Sequence, residues 1–531
     1  MNVHHIPFKA TGYFSQLICD YLDKKPKLSE FYENFPDLEG FKNQIETKKT
    51  TFSLQSRQLL NEALKDQYKN TAVSTQTTNN ISALLNENTF TVTTGHQLNI
   101  FTGPLYFLYK IVTAINLANR LKKEFPLQNF VPLYWMATED HDFEEIQYFK
   151  VHNTKISWER ESSGGVGRLK TEGFDAIYNE FSALLGSSNH ANALRELFKN
   201  AYLKNENLAE ATRYLVNELF GNAGLVIVDG DNAILKREFL PFVKDELLQN
   251  TSFKKVSETN EKLSVAYKIQ VNPREINLFY LKDALRERII FEKNQFKVNN
   301  TNIVFSEEEI LKELEKYPER FSPNVLLRPL YQEIVLPNLA YIGGGGELAY
   351  WFQLKNEFNT LNVPFPILVL RNSVLLVTKK QMFKLNKLNI SVPETFKKQE
   401  SLIEDMVKAL SEVKIDFSEQ KKYLKQQFID LKELAKKTDI TFLGAVNAQE
   451  KKQLNGLDNL EKRLLKAQKR KLSEEVQQIS NLQNELFPNQ SLQERSQNFT
   501  EFYLDLGENL IPMLIENIDP LRFEFTVLEF E

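Results

Sequence analysis

Three textures follow one another along the pattern of apolar and polar positions. Residues 1–88 have helical spacing, are polar, and are interrupted by "KKPKLS" and "TAVSTQTTNN". From about residue 89, short β-rich apolar runs alternate with helical patterns. "FTVTT" (90–94) leads through a glycine-containing loop into "LYFLYKIVTAINLANRLKK" (105–123), whose apolar residues recur at helical spacing. "FVPLYWMA" (130–137), "GLVIVDGD" (224–231), "LAYIGGGGE" (339–347) and "VPFPILVLRNS" (363–373) supply further strands. Strands that alternate with helices predict an α/β class built on an open parallel sheet. Such sheets bind ligands at the carboxyl ends of their strands, where the strand order reverses. The core is expected over 89–394, with insertions at roughly 145–222 and 250–322, and residues 1–88 joining it as a helical segment.

The third texture runs over 395–487. Ile403, Met406, Leu410, Val413 and Phe417 alternate spacings of three and four, and Leu424, Leu431 and Leu434 continue the register. Leu465, Leu472, Ile479 and Leu486 recur every seven residues among Glu, Lys and Gln. This heptad pattern predicts a coiled coil that serves self-association as a homodimer, although helices packed on the protein's own body would also show apolar seams. "TDITFLGAVNAQ" (438–449) breaks the period, as the turn of an antiparallel hairpin or a gap between two helices would. Residues 488–531 are expected to pack back on the core.

Composition narrows the function classes. Of 531 residues, 42% are apolar and 26% charged, an ordinary balance for a globular chain long enough for two or more domains. The net charge of −4 offers no basic excess for phosphates, which argues against nucleic acid as the main partner. Cys19 is the single cysteine, so neither a disulfide framework nor a thiolate zinc site is available, and no metal site is expected. The first residues lack the pattern of a signal peptide, and no apolar run has membrane-spanning length. The expected location is cytoplasmic, without a membrane partner.

Three stretches carry candidate chemistry. In "TTGHQLNIFTGP", Gly95 and Gly103 permit a tight strand-to-helix passage, and free amides at a helix start favour an anion. The loop lacks the Gly-Lys-Ser/Thr of a phosphate loop and the dinucleotide fingerprint, and a purely structural turn is an equal reading. "WMATEDHDFEEI" sets five carboxylates and His141 just past a strand end. Alternation would send Glu139 and His141 one way and Asp140 and Asp142 the other. A carboxylate beside an imidazole suits proton transfer. The alternative is that these acids charge the first turn of a helix. In "RPLYQEIVLPNLAYIGGGGELAYWFQLK", Gly343–Gly346 would let a ligand approach the backbone, Arg328 and Gln332 could present planar donors, and Glu347, Tyr350 and Trp351 could form a wall. Arg371 follows another strand.

"TGHQLNIFTGPLYFLYKI", "VPLYWMATEDHDFEEI", "RPLYQEIVLPNLAYIGGGGELAYW" and "PFPILVLRNS" together resemble, in order, the signature stretches of the bacillithiol biosynthesis cysteine-adding enzyme family. The resemblance implies a Rossmann-like, nucleotidyltransferase-type core with connecting insertions and a dimer-forming C-terminal coiled coil. It implies a ligase that joins L-cysteine, through its carboxyl, to the amine of glucosaminyl malate. His96 stands where many relatives read Gln, and "GGGG" replaces a Gly-Gly-Pro-like turn. ATP, with or without Mg²⁺, is the expected activating cosubstrate. Asp140, His141 and Asp142 are the expected catalytic groups. His96, Gln97, Glu139, Arg328, Gln332, Glu347, Tyr350 and Arg371 are expected at the substrates. Gly95, Thr102, Gly103, Gly343, Gly344, Gly345 and Gly346 are expected at the nucleotide or another anion. Two other classes stay open at this point: a metal-dependent phosphoesterase using the Asp/His cluster, and a non-enzymatic coiled-coil scaffold.

Overall fold

The computed structural model describes residues 2–152 and 154–531. They form two compact units. One comprises residues 5–375 with 493–528, the other residues 2–4, 376–492 and 529–531. The division falls at 375/376 rather than at the expected 394/395, because the short helix Lys379–Lys387 belongs with the coiled-coil helices. The last segment also divides, with 493–528 in the core unit.

The core unit is built on five parallel strands, β1 (Thr89–His96), β2 (Asn129–Met136), β3 (Val226–Asp229), β9 (Asn338–Gly343) and β10 (Ile367–Leu370). Their spatial order is β10-β9-β1-β2-β3. The chain starts in the middle, steps outward through β2 and β3, and returns to the other side of β1. The order therefore reverses between β1 and β9, the position where such sheets open a crevice. His96 lies opposite Met136, and Thr94 opposite Ile342, so the strands end level with one another. Strands covered on both faces tolerate polar residues only when these are paired. Thr93 donates to Asn338 Oδ1 at 2.8 Å, and Thr94 donates to the Ile342 carbonyl at 2.9 Å.

Helices α1 (Leu38–Thr51) and α2 (Tyr106–Glu124) supply the apolar cover. Phe41 and Ile45 of α1, with Ala114, Leu117 and Leu121 of α2, join Phe90, Val92, Ile342 and Val369 in one buried cluster. Burying each large side chain contributes roughly 1.5–3 kcal/mol.

An inserted antiparallel sheet follows β3. It comprises β4 (Leu278–Lys282), β5 (Leu285–Glu292), β6 (Gln295–Val298), β7 (Val304–Phe305) and β8 (Phe321–Pro323), in the order β7-β6-β5-β4-β8. The earlier insertion is mostly helical and surrounds Phe101 with Phe149, Phe181 and Phe198.

In the second unit, helices α3 (Gln399–Leu410), α4 (Ser418–Ala435), α5 (Ile440–Lys471) and α6 (Ser473–Leu486) replace the two arms expected from the heptads. Val413 and Phe417 lie in the break between α3 and α4, so the 3-4 seam does not run on through them. The period break at 438–449 includes the turn into α5, but from Ile440 the helix is continuous. Lys421 pairs with Glu461 and Lys432 with Glu450, partners that draw together as the turn nears, so α4 and α5 are an antiparallel hairpin. Phe428, Ala435 and Val446 form its core. Among the described residues, no helix is long and apolar enough to cross a membrane.

Candidate active site

Over the carboxyl ends of β1, β2 and β9 lies a cavity of about 1250 Å³. Gly95, His96 and Gln97 enter it from β1, and Thr138–His141 from β2. Gly344–Glu347 follow β9, and Arg371 follows β10. The inserted sheet forms an opposing wall with Phe279, Arg286 and Arg288. The basic residues Lys110, Arg274, Arg286, Arg288, Arg328, Arg371 and Arg495 outnumber the lining carboxylates Glu139, Asp140, Glu145, Glu287 and Glu347. The chain as a whole is acidic, so this local excess marks a place for an anionic ligand.

Lys110 fastens the floor of the cavity. From one turn inside α2 its Nζ donates to the Gly95 carbonyl at 2.8 Å and meets Glu347 Oε2 at 2.6 Å. Glu347 also accepts the Gly344 N–H and the Tyr341 hydroxyl, each at 2.9 Å. Burial disfavours charge on both partners and draws the Lys110 ammonium down from its usual range. For Glu347 burial acts upward, but Lys110 and these hydrogen bonds more than offset it, and the carboxyl sits below its usual range. His96, beside Lys110 and Arg371, is held far below the ordinary imidazole range by burial and by those two charges, and is neutral. Lys110 was missed by the sequence reading. Its signal was a lone lysine in the apolar stretch "LYFLYKIVTAINLA", where a charge is buried only when paired.

Arg328 lies beside β1, with Nη1 3.1 Å from Gln332 Oε1 and Nη2 3.2 Å from the Tyr350 hydroxyl. Tyr350 lines the cavity, whereas Gln332 is fully buried behind Arg328 and does not. The expectation that Gln332 meets substrate is corrected accordingly: both of its amide ends are used inside the protein. Arg371 donates to Glu494 Oε1 at 2.7 Å and lies over the Tyr106 ring at 5.3 Å.

The acidic cluster after β2 separates. Glu139 pairs with Lys236 at 2.5 Å, and burial raises its carboxyl despite that cation. Asp140 Oδ1 accepts the backbone N–H of His141 at 2.8 Å, and its Oδ2 accepts from Gln97 at 2.8 Å. His141 Nδ1 lies 2.5 Å from Arg286 Nη1. Burial, then Arg286, lowers the imidazole below its usual range. Asp142 is exposed, lies outside the cavity lining, and precedes the short helix Phe143–Ile146 without capping it through its side chain. The expected catalytic trio is therefore reduced to Asp140 and His141 at the cavity.

A segment not singled out from the sequence, "GGVGR" at 164–168, braces this turn. Val166 N–H donates to the Asp140 carbonyl at 2.7 Å, and Gly167 N–H to the Thr138 carbonyl at 2.8 Å. A Cβ on Gly167 would lie 2.6 Å from Thr138 Cβ, so only glycine fits. Arg168 then grips Asp231 through two hydrogen bonds of 2.7 and 2.8 Å.

The glycine expectations divide as well. Gly343–Gly346 all keep negative φ, so the run is not required by unusual backbone angles. Gly344, Gly345 and Gly346 line the cavity, and Gly343 does not. Gly95 lines it too, where a Cβ would sit 3.5 Å from Arg328 Nη1. Thr102 (φ 67°) and Gly103 (φ 60°) are left-handed and buried away from the lining, and Asn498 donates to the Gly103 carbonyl at 2.6 Å. The anion role expected for these two has no geometric support.

Residues 1–372 match the family model described as the N-terminal Rossmann-like domain of bacillithiol biosynthesis BshC, and residues 374–530 match its C-terminal coiled-coil domain. A protein of Flavobacterium johnsoniae named "Putative cysteine ligase BshC" is 56% identical, over 98% of this chain and 99% of its own. Proteins of the same name from Flavobacterium psychrophilum and Christiangramia forsetii are 57% and 53% identical, over 99% and 100% of this chain and 99% of each relative. With both halves matched in order and relatives this similar over their whole length, the chain belongs to the bacillithiol biosynthesis BshC family.

Proposed function

We propose that the cavity joins the carboxyl of L-cysteine to the amine of glucosaminyl malate. The supporting observation is the basic lining gathered over the strand ends around Asp140. The relatives' name supports the cysteine, and the arginines suit the two carboxylates of the malate moiety.

A carboxylate oxygen leaves only after activation, and ATP would supply this by converting it into a phosphate-linked leaving group. The lining fits phosphates: Arg371 and Arg495 lie at the same cavity as the side-chain-free wall of Gly344–Gly346. Arg328 suits a malate carboxylate. The amine then attacks the activated carbonyl carbon; the C–N bond forms, the C–O bond to the leaving group breaks, and the amine loses a proton. Asp140 is the acceptor we assign for that proton. Among the described residues its Oδ2 accepts from Gln97 alone, whereas Arg286 occupies Nδ1 of His141. His141, with its proton on Nε2, serves as a hydrogen-bond donor to the reacting groups.

The test is incubation of the purified protein with L-cysteine, glucosaminyl malate and ATP, followed by mass spectrometry. The expected result is the amide product with AMP or ADP in equal amount, and the nucleotide found identifies the activation step. Absence of product with all three substrates present would overturn the reading.

A further inference from the structure

Behind Arg328 stands a buried hydrogen-bonded chain that the reaction itself does not use. Gln332 accepts from Arg328 Nη1 through Oε1, which leaves its amide nitrogen to donate to Glu333 Oε1 at 3.0 Å. The same oxygen accepts from Asn338 Nδ2 at 2.6 Å. Lys48 of α1 meets Glu333 Oε2 at 3.4 Å, with side-chain exposures of only 2% and 0%. Asn338 is fixed in turn by Thr93 of β1. Every amide orientation in this series is set by its neighbour, so the chain can close in only one sense.

We propose that Gln332 and Glu333 are positioning residues that fix the plane of the Arg328 guanidinium, presenting its unused N–H edge to a pair of oxyanion oxygens in the cavity. Of five guanidinium protons, Gln332 and Tyr350 engage two. Those left over suit a two-pronged contact, for which orientation matters more than charge. Unanchored, a guanidinium on its flexible stem would sample other rotamers and bind the same anion more weakly. The oxyanion is a carboxylate or a phosphate oxygen pair, and the inference rests on the proposed function only for which molecule carries it.

The experiment is a double-mutant cycle read by calorimetric titration of the full-length protein. The probes are glucosaminyl malate, L-malate, ATP and inorganic pyrophosphate. Gln332→Met keeps the volume and removes both hydrogen bonds. It is expected to weaken one probe class about tenfold, the scale of a hydrogen bond to a charged group. Weakening of the malates assigns a carboxylate, and weakening of ATP and pyrophosphate assigns a phosphate. In an Arg328→Lys background, which keeps the charge and loses the fork, Gln332→Met should add less than twofold. An equal loss in both backgrounds would show that Gln332 acts through general packing and would overturn the proposal. If Gln332→Met does not fold, Tyr350→Phe removes the other anchor and enters the same cycle with the same expected coupling. Wild-type protein that binds pyrophosphate or L-malate but neither proposed substrate would sink the substrate assignment and leave the positioning test intact. Wild-type protein that binds none of the four would overturn both.

Discussion

Arg286 donates to Nδ1 of His141 across 2.5 Å, joining the inserted sheet to the loop after β2. The imidazole is thereby a donor through Nε2, and in the proposed reaction Asp140 is left to accept the proton. Asp140→Asn is expected to lower amide formation about a hundredfold, the usual scale for a lost proton-transfer group, and His141→Ala by about the same factor, the scale for one lost preorganised hydrogen-bond donor. Circular dichroism should show both variants folded. Near-normal turnover in both would return the cluster to a structural turn.

The Lys110–Glu347 pair should matter more when broken than when replaced. Lys110→Met leaves a buried carboxylate without its cation, at a cost of about 3–5 kcal/mol. Glu347 keeps 26% of its side chain exposed, which favours the lower end. Urea denaturation of Lys110→Met and of Lys110→Met with Glu347→Gln measures this. The double variant should recover at least half of the loss, and no recovery would mean that Lys110 acts through its packing alone.

Stability should also carry a pH signature from Glu357. Its carboxyl is fully buried, accepts from Ser252 at 2.6 Å, and is pushed up to about 8, chiefly by burial. The native state thus holds a proton that the unfolded chain releases near 4.3. Below the unfolded value both states are protonated and nothing is lost. As pH rises from there to about 8, stability falls, and it levels off above that. Glu357→Gln mimics the protonated form, so its melting temperature should match wild type at pH 4 and exceed it by several degrees at pH 8.5. Equal differences at both pH values would remove Glu357 as the cause.

Self-association through the helical hairpin is expected to use the apolar residues that the fold leaves outside. Leu434, Phe442 and Leu460 are 55%, 44% and 50% exposed. Ile479, which the heptads place on the seam, is only 1% exposed, so a charge there would damage the fold itself. Leu434→Lys, Phe442→Lys and Leu460→Lys together should convert a dimer into a folded monomer by light scattering. A triple variant that stays dimeric would place the interface elsewhere.

At Gly344 a Cβ would lie 3.5 Å from Glu347 Oε2 and 3.7 Å from Arg371 Nε, ordinary contacts that leave the fold intact. Gly344→Val, with its added methyl groups in the cavity, should weaken binding of ATP or glucosaminyl malate at least tenfold in calorimetric titration while shifting the melting temperature little. Unchanged affinity for both, in a folded variant, would remove this wall from the site.

What the sequence determined by itself was local. The strand seen at 130–137 is Asn129–Met136, and the helix seen at 105–123 is Tyr106–Glu124. Periodicity and turn residues are set by neighbours a few positions away, and these are written in order. The strand ends that carry the cavity were legible for the same reason, as were Asp140, His141 and Arg328 on its rim. Tertiary structure decided which polar groups meet. Arg286 reaches His141 across 145 positions, Lys110 finds Glu347 through the pairing of β1 with β9, and Gly167 rests on Thr138. A charged side chain reads alike on a solvated face and in a buried pair. Only the folded topology, which sets who lies opposite whom and how much water remains, separates Lys110 from its solvated neighbours on the chain or moves Gln332 from the cavity to the support behind it.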